Sequence, residues 1–160
     1  MHRHRRDEVP APPEGNFSRP GGQVVAQYFI FLRLGHEGYR RVYQACADTA
    51  QHLARQIADM GPFTLLYDGV APPAVSYTLT DPDSVGWTLY DLSDQLRMRG
   101  WQVLSYPLPP DRQETVIQRV LVRHGVDRDE IELLADDMRR AIKHPAEGHP
   151  HDADRVGFHH

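Results

Sequence analysis

Apolar residues follow a helical period in the first third of the chain. Residues 24–35 have a broad apolar face. Apolar side chains recur along residues 39–60 at the spacing of one helical stripe, which ends at Gly61-Pro62. Ser18 is a suitable N-cap, with a proline two residues later. The pattern therefore predicts two consecutive helices, the first beginning near Ser18.

The two-residue period of strands occurs in the middle of the chain. Residues 63–67 and 74–79 are predicted to be strands that follow one another closely. Residues 101–106 and 116–122 are predicted to be two more strands, separated by a proline-rich turn.

Two further helices are indicated by their first residues. Thr88 and Asp91 have the spacing of a capping box, and the helix that follows them ends near Gly100. Asp127 with Glu130 caps a last amphipathic helix. The order of elements predicts an α+β domain, with a small sheet of about four strands and helices on one face.

Length and composition are those of one folded domain with irregular ends. The chain has 160 residues, of which 40% are hydrophobic. Residues 1–15 are rich in proline and lack periodicity, so they are predicted to be an irregular lead-in. Residues 16–145 form the predicted domain, and residues 146–160 a polar, histidine-rich tail.

Charge and cysteine content disfavour several classes of protein. No apolar run reaches the roughly 18–20 residues that span a bilayer, and the basic start lacks an apolar stretch, so neither membrane insertion nor a secretory signal is expected. A net charge of −4 argues against nucleic-acid binding. Cys46 is the only cysteine, which excludes an internal disulfide and favours a reducing cytoplasm.

Arg119 and Ser18 are candidates for binding anions. Arg119 interrupts an apolar strand, so it either has a partner that offsets its buried charge or faces solvent on an edge strand. Ser18 serves as an N-cap, and a helix start with a hydroxyl can also bind a phosphate. The residues alone leave both pairs of alternatives open.

Four segments in one order resemble the glutamate decarboxylases. They are residues 16–28, which begin Asn-Phe-Ser-Arg-Pro, and residues 31–39, 90–93 and 96–103. The likeness extends over residues 16–160. One such segment alone is weak, whereas several in the same order are specific.

The resemblance implies a fold and an activity. That family belongs to the aspartate-aminotransferase-like class, fold type I, of pyridoxal-phosphate enzymes, in which a large domain holds the cofactor and a C-terminal small domain closes over the substrate. The chain is expected to be such a small domain, from an enzyme that converts L-glutamate to 4-aminobutyrate (GABA) and CO2. A cytoplasmic homo-oligomer with shared active sites, and a role in acid resistance, are implied as well.

The resemblance also implies roles for two residues. The serine that matches Ser18 reaches the cofactor phosphate of the neighbouring subunit. The arginine that matches Arg119 holds the α-carboxylate of the substrate, a two-pronged contact to which a planar guanidinium is suited. Arg123 and His124 are weaker candidates with a structural alternative.

The histidines near the C-terminus have two possible uses. Aligned on Phe158, His160 matches a histidine that enters the active site of bacterial members near neutral pH, so that activity appears only in acid. A solvated tail or the stub of an expression tag are the alternatives, and the family's final threonine is missing. His144, His149 and His151 lack a ligand spacing, and no metal site is expected.

Lys143 is the only lysine in the sequence. Family members carry the lysine that binds the cofactor upstream of the Asn-Phe-Ser-Arg-Pro segment, together with the aspartate that faces the ring nitrogen. Lys143 ends a helix in an unrelated context, where a cation suits the helix C-terminus. The chain is therefore expected to lack the catalytic lysine and to be inactive alone. The alternative is a non-catalytic α+β remnant or interaction domain from a truncated gene.

Overall fold

The computed structural model describes residues 21–144. They fall into two compact units, one up to His36 and one from Glu37 onwards. The predicted helix start near Ser18 and the predicted lead-in and tail lie outside the described residues, so the predicted domain limits remain predictions. Within residues 21–144, no helix combines the length and apolar character needed to cross a membrane.

Helix α1 (Gly22–Asp59) is interrupted at Gly35, whose φ of 56° and ψ of −172° are not helical. Glycine adopts a positive φ at little cost because it has no Cβ. The two helices predicted from the sequence are therefore present as two segments of α1. In the first segment apolar side chains are exposed, among them Val24, Tyr28 and Phe29.

The second unit contains a four-stranded antiparallel sheet with the strand order β1-β2-β4-β3. Its elements after α1 are β1 (Phe63–Asp68), β2 (Ala74–Leu79), α2 (Pro82–Val85), α3 (Leu89–Met98), β3 (Ser105–Pro107), β4 (Val116–Leu121) and α4 (Arg128–Lys143). The predicted α+β class is confirmed.

Both predicted capping boxes are confirmed. The Thr88 hydroxyl accepts a hydrogen bond from the Asp91 N–H at 3.3 Å, and the Asp91 carboxylate accepts one from the Thr88 N–H at 2.8 Å. Asp127 and Glu130 make the same reciprocal pair at the start of α4. Each pair satisfies N–H groups that have no partner within the helix.

The predicted strand over residues 101–106 is wrong for its first four residues, since only Ser105–Pro107 pairs with β4. The Trp101 N–H donates to the Leu96 carbonyl at 3.0 Å, which closes the end of α3. The Trp101 indole N–H donates to Asp137 on α4 at 3.0 Å. These residues therefore connect two helices instead of extending the sheet.

The core of the second unit lies between one face of the sheet and the helices. Val75 and Tyr77 of β2 point into it, and both are fully buried. The helices contribute fully buried side chains of their own, namely Leu53, Ile57, Leu96 and Met138. This arrangement confirms the prediction of helices on one face.

Gln118 is a fully buried polar residue on that helix-facing side of β4. Its Oε1 accepts a hydrogen bond from the Tyr77 hydroxyl at 2.7 Å. Its Nε2 lies 2.8 Å from Ser93 Oγ, 3.0 Å from Ser105 Oγ and 3.0 Å from the Leu89 carbonyl oxygen. Burial raises the pKa of the Tyr77 hydroxyl, which keeps it a donor.

Candidate functional site

Arg119 lies on the face of the sheet that points away from the helices. Side chains alternate along a strand, so Arg119 and its neighbour Gln118 point to opposite faces. Ser76 of β2 is directly opposite Arg119 across the antiparallel ladder. Tyr67 of β1 is opposite Ser76 in turn. The three residues form a row across three strands, here called the Arg119 row.

Among the described residues, the Arg119 side chain makes one hydrogen bond. Its Nε donates a hydrogen bond to Ser76 Oγ at 3.2 Å. Ser76 is buried, at 5% exposure, whereas Arg119 is exposed. Within residues 21–144, no other group accepts a hydrogen bond from this guanidinium, and no carboxylate forms an ion pair with it.

The structure corrects both sequence-based descriptions of Arg119. The residue is exposed, so it is not a buried charge that needs an internal counter-charge. Its strand β4 lies between β2 and β3, so it is not on an edge strand. Arg119 is therefore an exposed arginine on an inner strand, and a guanidinium can bind a carboxylate through two parallel hydrogen bonds.

Arg123 and His124 follow β4 in a turn that the Val126 N–H closes on the Arg123 carbonyl at 3.1 Å. Both side chains are exposed. In the described part of the chain, no hydrogen bond or ion pair joins either of them to Arg119. The geometry therefore gives them no part in the Arg119 row.

Of the remaining predicted residues, only Lys143 lies within the described part of the chain, and it is not in the Arg119 row. Ser18 and His160 lie outside the described residues, and their roles remain predictions. Lys143 occupies the last turn of α4, as predicted, and its side chain is exposed. Over residues 21–144, no group of three or more His, Cys, Asp or Glu side chains is arranged to hold a metal ion.

A cavity of about 350 Å³ opens beside the start of α3. Its lining residues include Trp87, Thr88, Tyr90 and Glu114. Arg119 is not among its lining residues, so the cavity and the Arg119 row are distinct features.

A polar cluster that the sequence did not indicate joins α1 to α4. His52 Nε2 lies 2.5 Å from Glu132 Oε1, and Gln56 donates to Glu132 Oε2 at 2.5 Å. Arg139 donates to the Gln56 carbonyl oxygen. The hydrogen bond from His52, followed by that from Gln56, lowers the pKa of Glu132 below its ordinary value of 4.5.

Curated relatives of the chain share one name. The chain is 48% identical over 150 residues to a glutamate decarboxylase of Aliivibrio fischeri, with 91% of this chain and 32% of that protein covered. It is 41% identical over 146 residues to glutamate decarboxylase beta of Listeria monocytogenes, with 90% and 32% covered. The chain is homologous to part of the glutamate decarboxylases. It spans about a third of the length of these relatives.

Solved structures agree with this relationship. A glutamate decarboxylase of Lactobacillus brevis superposes with a TM-score of 0.78 at 40% identity, covering 84% of this chain and 30% of that one. A sphingosine-1-phosphate lyase of Burkholderia pseudomallei superposes with a TM-score of 0.62 at 21% identity, covering 79% and 26%, which shows a shared fold only. No protein-family model matches the chain. The fold class implied by the resemblance to glutamate decarboxylases is confirmed.

Proposed function

We propose that this chain is the substrate-binding small domain of a pyridoxal-phosphate-dependent glutamate decarboxylase. In that role it contributes to the conversion of L-glutamate to 4-aminobutyrate and CO2. The observation that carries the proposal is Arg119, an exposed arginine on an inner strand of the second unit. The proposed reaction is inferred from the 48% identity to a glutamate decarboxylase.

Arg119 is the residue proposed to hold the α-carboxylate of glutamate. A guanidinium binds a carboxylate through two parallel, charge-assisted hydrogen bonds, which fix the orientation of the bound molecule as well as its position. Arg119 needs no rearrangement of internal ion pairs to do so, because it forms none within residues 21–144. Its place in the sheet keeps the backbone beneath it rigid.

The described residues do not fit pyridoxal phosphate. Lys143 lies at the C-terminal end of α4, where the helix dipole repels a phosphate. The cofactor, when bound, draws electrons from the breaking bond. We assign its binding to a domain that carries the cofactor lysine, with Ser18 contributing to the phosphate site.

We further propose that the working form is a cytoplasmic homo-oligomer, as implied by the resemblance, with a role in acid resistance. The single cysteine, Cys46, is buried, which suits a reducing compartment. His160 is proposed to restrict activity near neutral pH. These statements rest on the resemblance and on composition.

A hybrid enzyme tests the proposal. The matching third of the Aliivibrio fischeri decarboxylase is replaced by the residues of this chain, and kcat and KM for L-glutamate are measured. Arg119→Lys keeps the charge but loses the two-pronged contact, so kcat/KM should fall about tenfold to more than a hundredfold. Arg123→Lys, four residues away and outside the Arg119 row, should be close to the parent hybrid.

Two results would contradict the proposal. Near-parental kinetics of Arg119→Lys would remove Arg119 from the carboxylate site. A hybrid that folds and holds its cofactor but releases no CO2 would favour the alternative, a non-catalytic remnant or interaction domain.

A further inference from the structure

Ser76 is the residue that holds Arg119, and neither the resemblance nor the comparisons give it a role. Its hydroxyl oxygen accepts the Arg119 Nε–H at 3.2 Å. The two residues are directly opposite one another in β2 and β4, and Ser76 is only 5% exposed. A buried hydroxyl therefore meets an exposed guanidinium at a single nitrogen.

The nitrogen that Ser76 occupies decides how a carboxylate can approach. Arginine has one N–H on Nε and four on the two Nη groups. A carboxylate can bind side-on, across Nε and one Nη, or end-on, across both Nη groups. Because Ser76 takes the Nε–H of Arg119, side-on binding requires that this hydrogen bond break, whereas end-on binding leaves it intact.

We propose that Ser76 is a positioning residue for Arg119, which it orients so that the two Nη groups bind the substrate carboxylate end-on. This inference rests on the proposed function and names the residue that sets the geometry of its carboxylate contact. A long, flexible side chain that is already oriented loses less conformational freedom on binding.

Within residues 21–144, Arg119 is the hydrogen-bond partner of the Ser76 hydroxyl. Ala74 and Thr78 flank Ser76 on the same side of β2, and both are small. Tyr67, on the other side of the row, accepts a hydrogen bond from the Ala71 N–H through its own hydroxyl.

A purely structural link between β2 and β4 is the competing explanation. Backbone pairing already joins these strands, and the Thr78 hydroxyl donates to the Val116 carbonyl at 2.8 Å. The bond from Arg119 to Ser76 adds little to that connection. Thr78 is thus a matched control, because its hydroxyl links the same two strands without touching Arg119.

The test measures hydrogen exchange of the Arg119 Nε–H by NMR in the full 160-residue chain, with Arg119→Lys used to assign the signal. Ser76→Ala should speed exchange about two- to tenfold, the factor set by one lost hydrogen bond. Ser76→Thr, which keeps a hydroxyl, should restore the slow rate, and Thr78→Val should leave it unchanged. Equal rates in the parent chain and Ser76→Ala, or equal acceleration by Thr78→Val, would overturn the positioning role.

Titration with L-glutamate tests the end-on geometry, with L-isoglutamine, which lacks the α-carboxylate, as the control ligand. In the parent chain glutamate should shift the Nη signals of Arg119 more than its Nε signal. In Ser76→Ala the Nε signal should shift too, and Kd should rise about two- to tenfold. A parent Nε shift as large as the Nη shift would overturn the end-on geometry. If glutamate moves no Arg119 signal, the assigned role of Arg119 fails, while the exchange rates still decide whether Ser76 holds it.

Discussion

Arg119 is proposed to bind the substrate, and its contacts with the described residues indicate a small part in folding. It is exposed, and its one hydrogen bond within residues 21–144 is to Ser76, so little of the described fold depends on it. Its proposed partner is a substrate and not another side chain. If Arg119 instead stabilises the domain, its substitution should lower the free energy of unfolding.

We expect Arg119→Lys to change the free energy of unfolding by less than about 1 kcal/mol, because it loses one partly buried hydrogen bond, to Ser76, and keeps its charge. Urea denaturation followed by circular dichroism measures this directly. Gln118→Leu, one residue earlier and fully buried, is the contrasting variant, since it removes a hydrogen-bonded core amide. A loss from Arg119→Lys as large as that from Gln118→Leu would show that Arg119 is structural.

The lowered pKa of Glu132 predicts that the free energy of unfolding depends on pH. Its pKa is lowered in the folded chain by His52 and Gln56, so the ionised form is favoured by folding. The contribution is therefore present above the ordinary value of 4.5 and is lost as the pH falls through the folded-state pKa. The Tm difference between the parent chain and Glu132→Gln should accordingly shrink in acid. Glu114→Gln, in an exposed loop, should show no such trend, and a constant gap for Glu132→Gln would contradict the assignment.

Helix starts are the elements that the sequence specified most sharply. Asp127 accepts the Glu130 N–H at 2.9 Å, which satisfies one donor in the first turn of α4. Asp127→Ala should cost about 1 kcal/mol, whereas Asp127→Asn, which keeps an accepting oxygen, should cost less. Thermal denaturation of the two variants checks this. Equal losses would mean that the negative charge, and not the hydrogen bond, is what matters.

Local patterns predicted elements well where neighbours in sequence decide the structure. The capping boxes, β2 and the break near Gly35 all depend on a few adjacent residues. The segment from Trp101 failed because its conformation is set by Asp137, 36 residues away. Ser76 was missed for the same reason, since its partner Arg119 lies 43 residues away and only the pairing of β2 with β4 brings them together.

At the scale of the whole molecule, the chain offers no described site for a bound cofactor. We expect the purified chain, mixed with pyridoxal phosphate, to form only weak adducts, because Lys143 is exposed at the end of α4 and does not line the cavity beside α3. Visible absorption after dialysis measures retained cofactor. A stoichiometric yellow complex that disappears in Lys143→Ala would contradict this expectation.

The first segment of α1 predicts association of the purified chain. Val24 is 70% exposed and Phe29 is 59% exposed, and contiguous exposed apolar surface favours contact with other molecules. Sedimentation velocity should show oligomers whose share grows with concentration, and Phe29→Glu should reduce it. Val70→Glu, at a separate exposed position, should leave the share of oligomers unchanged. A monomer at all concentrations would argue against association through this segment.

The hydrogen bonds of Gln118 on the helix-facing side also affect which residues of β4 face the opposite side of the sheet. A slip of β4 by one residue would exchange its two faces. It would bring Ile117 or Arg119 to the hydrogen-bond acceptors on α3. The aliphatic side chain of Ile117 would leave these acceptors unpaired, and the guanidinium of Arg119 would lose its hydration there. The neutral amide of Gln118 pairs with these acceptors, so it disfavours the slipped alignments. The side of the sheet on which the positive charge emerges is thus determined by a residue that contacts neither Arg119's side chain nor its proposed ligand.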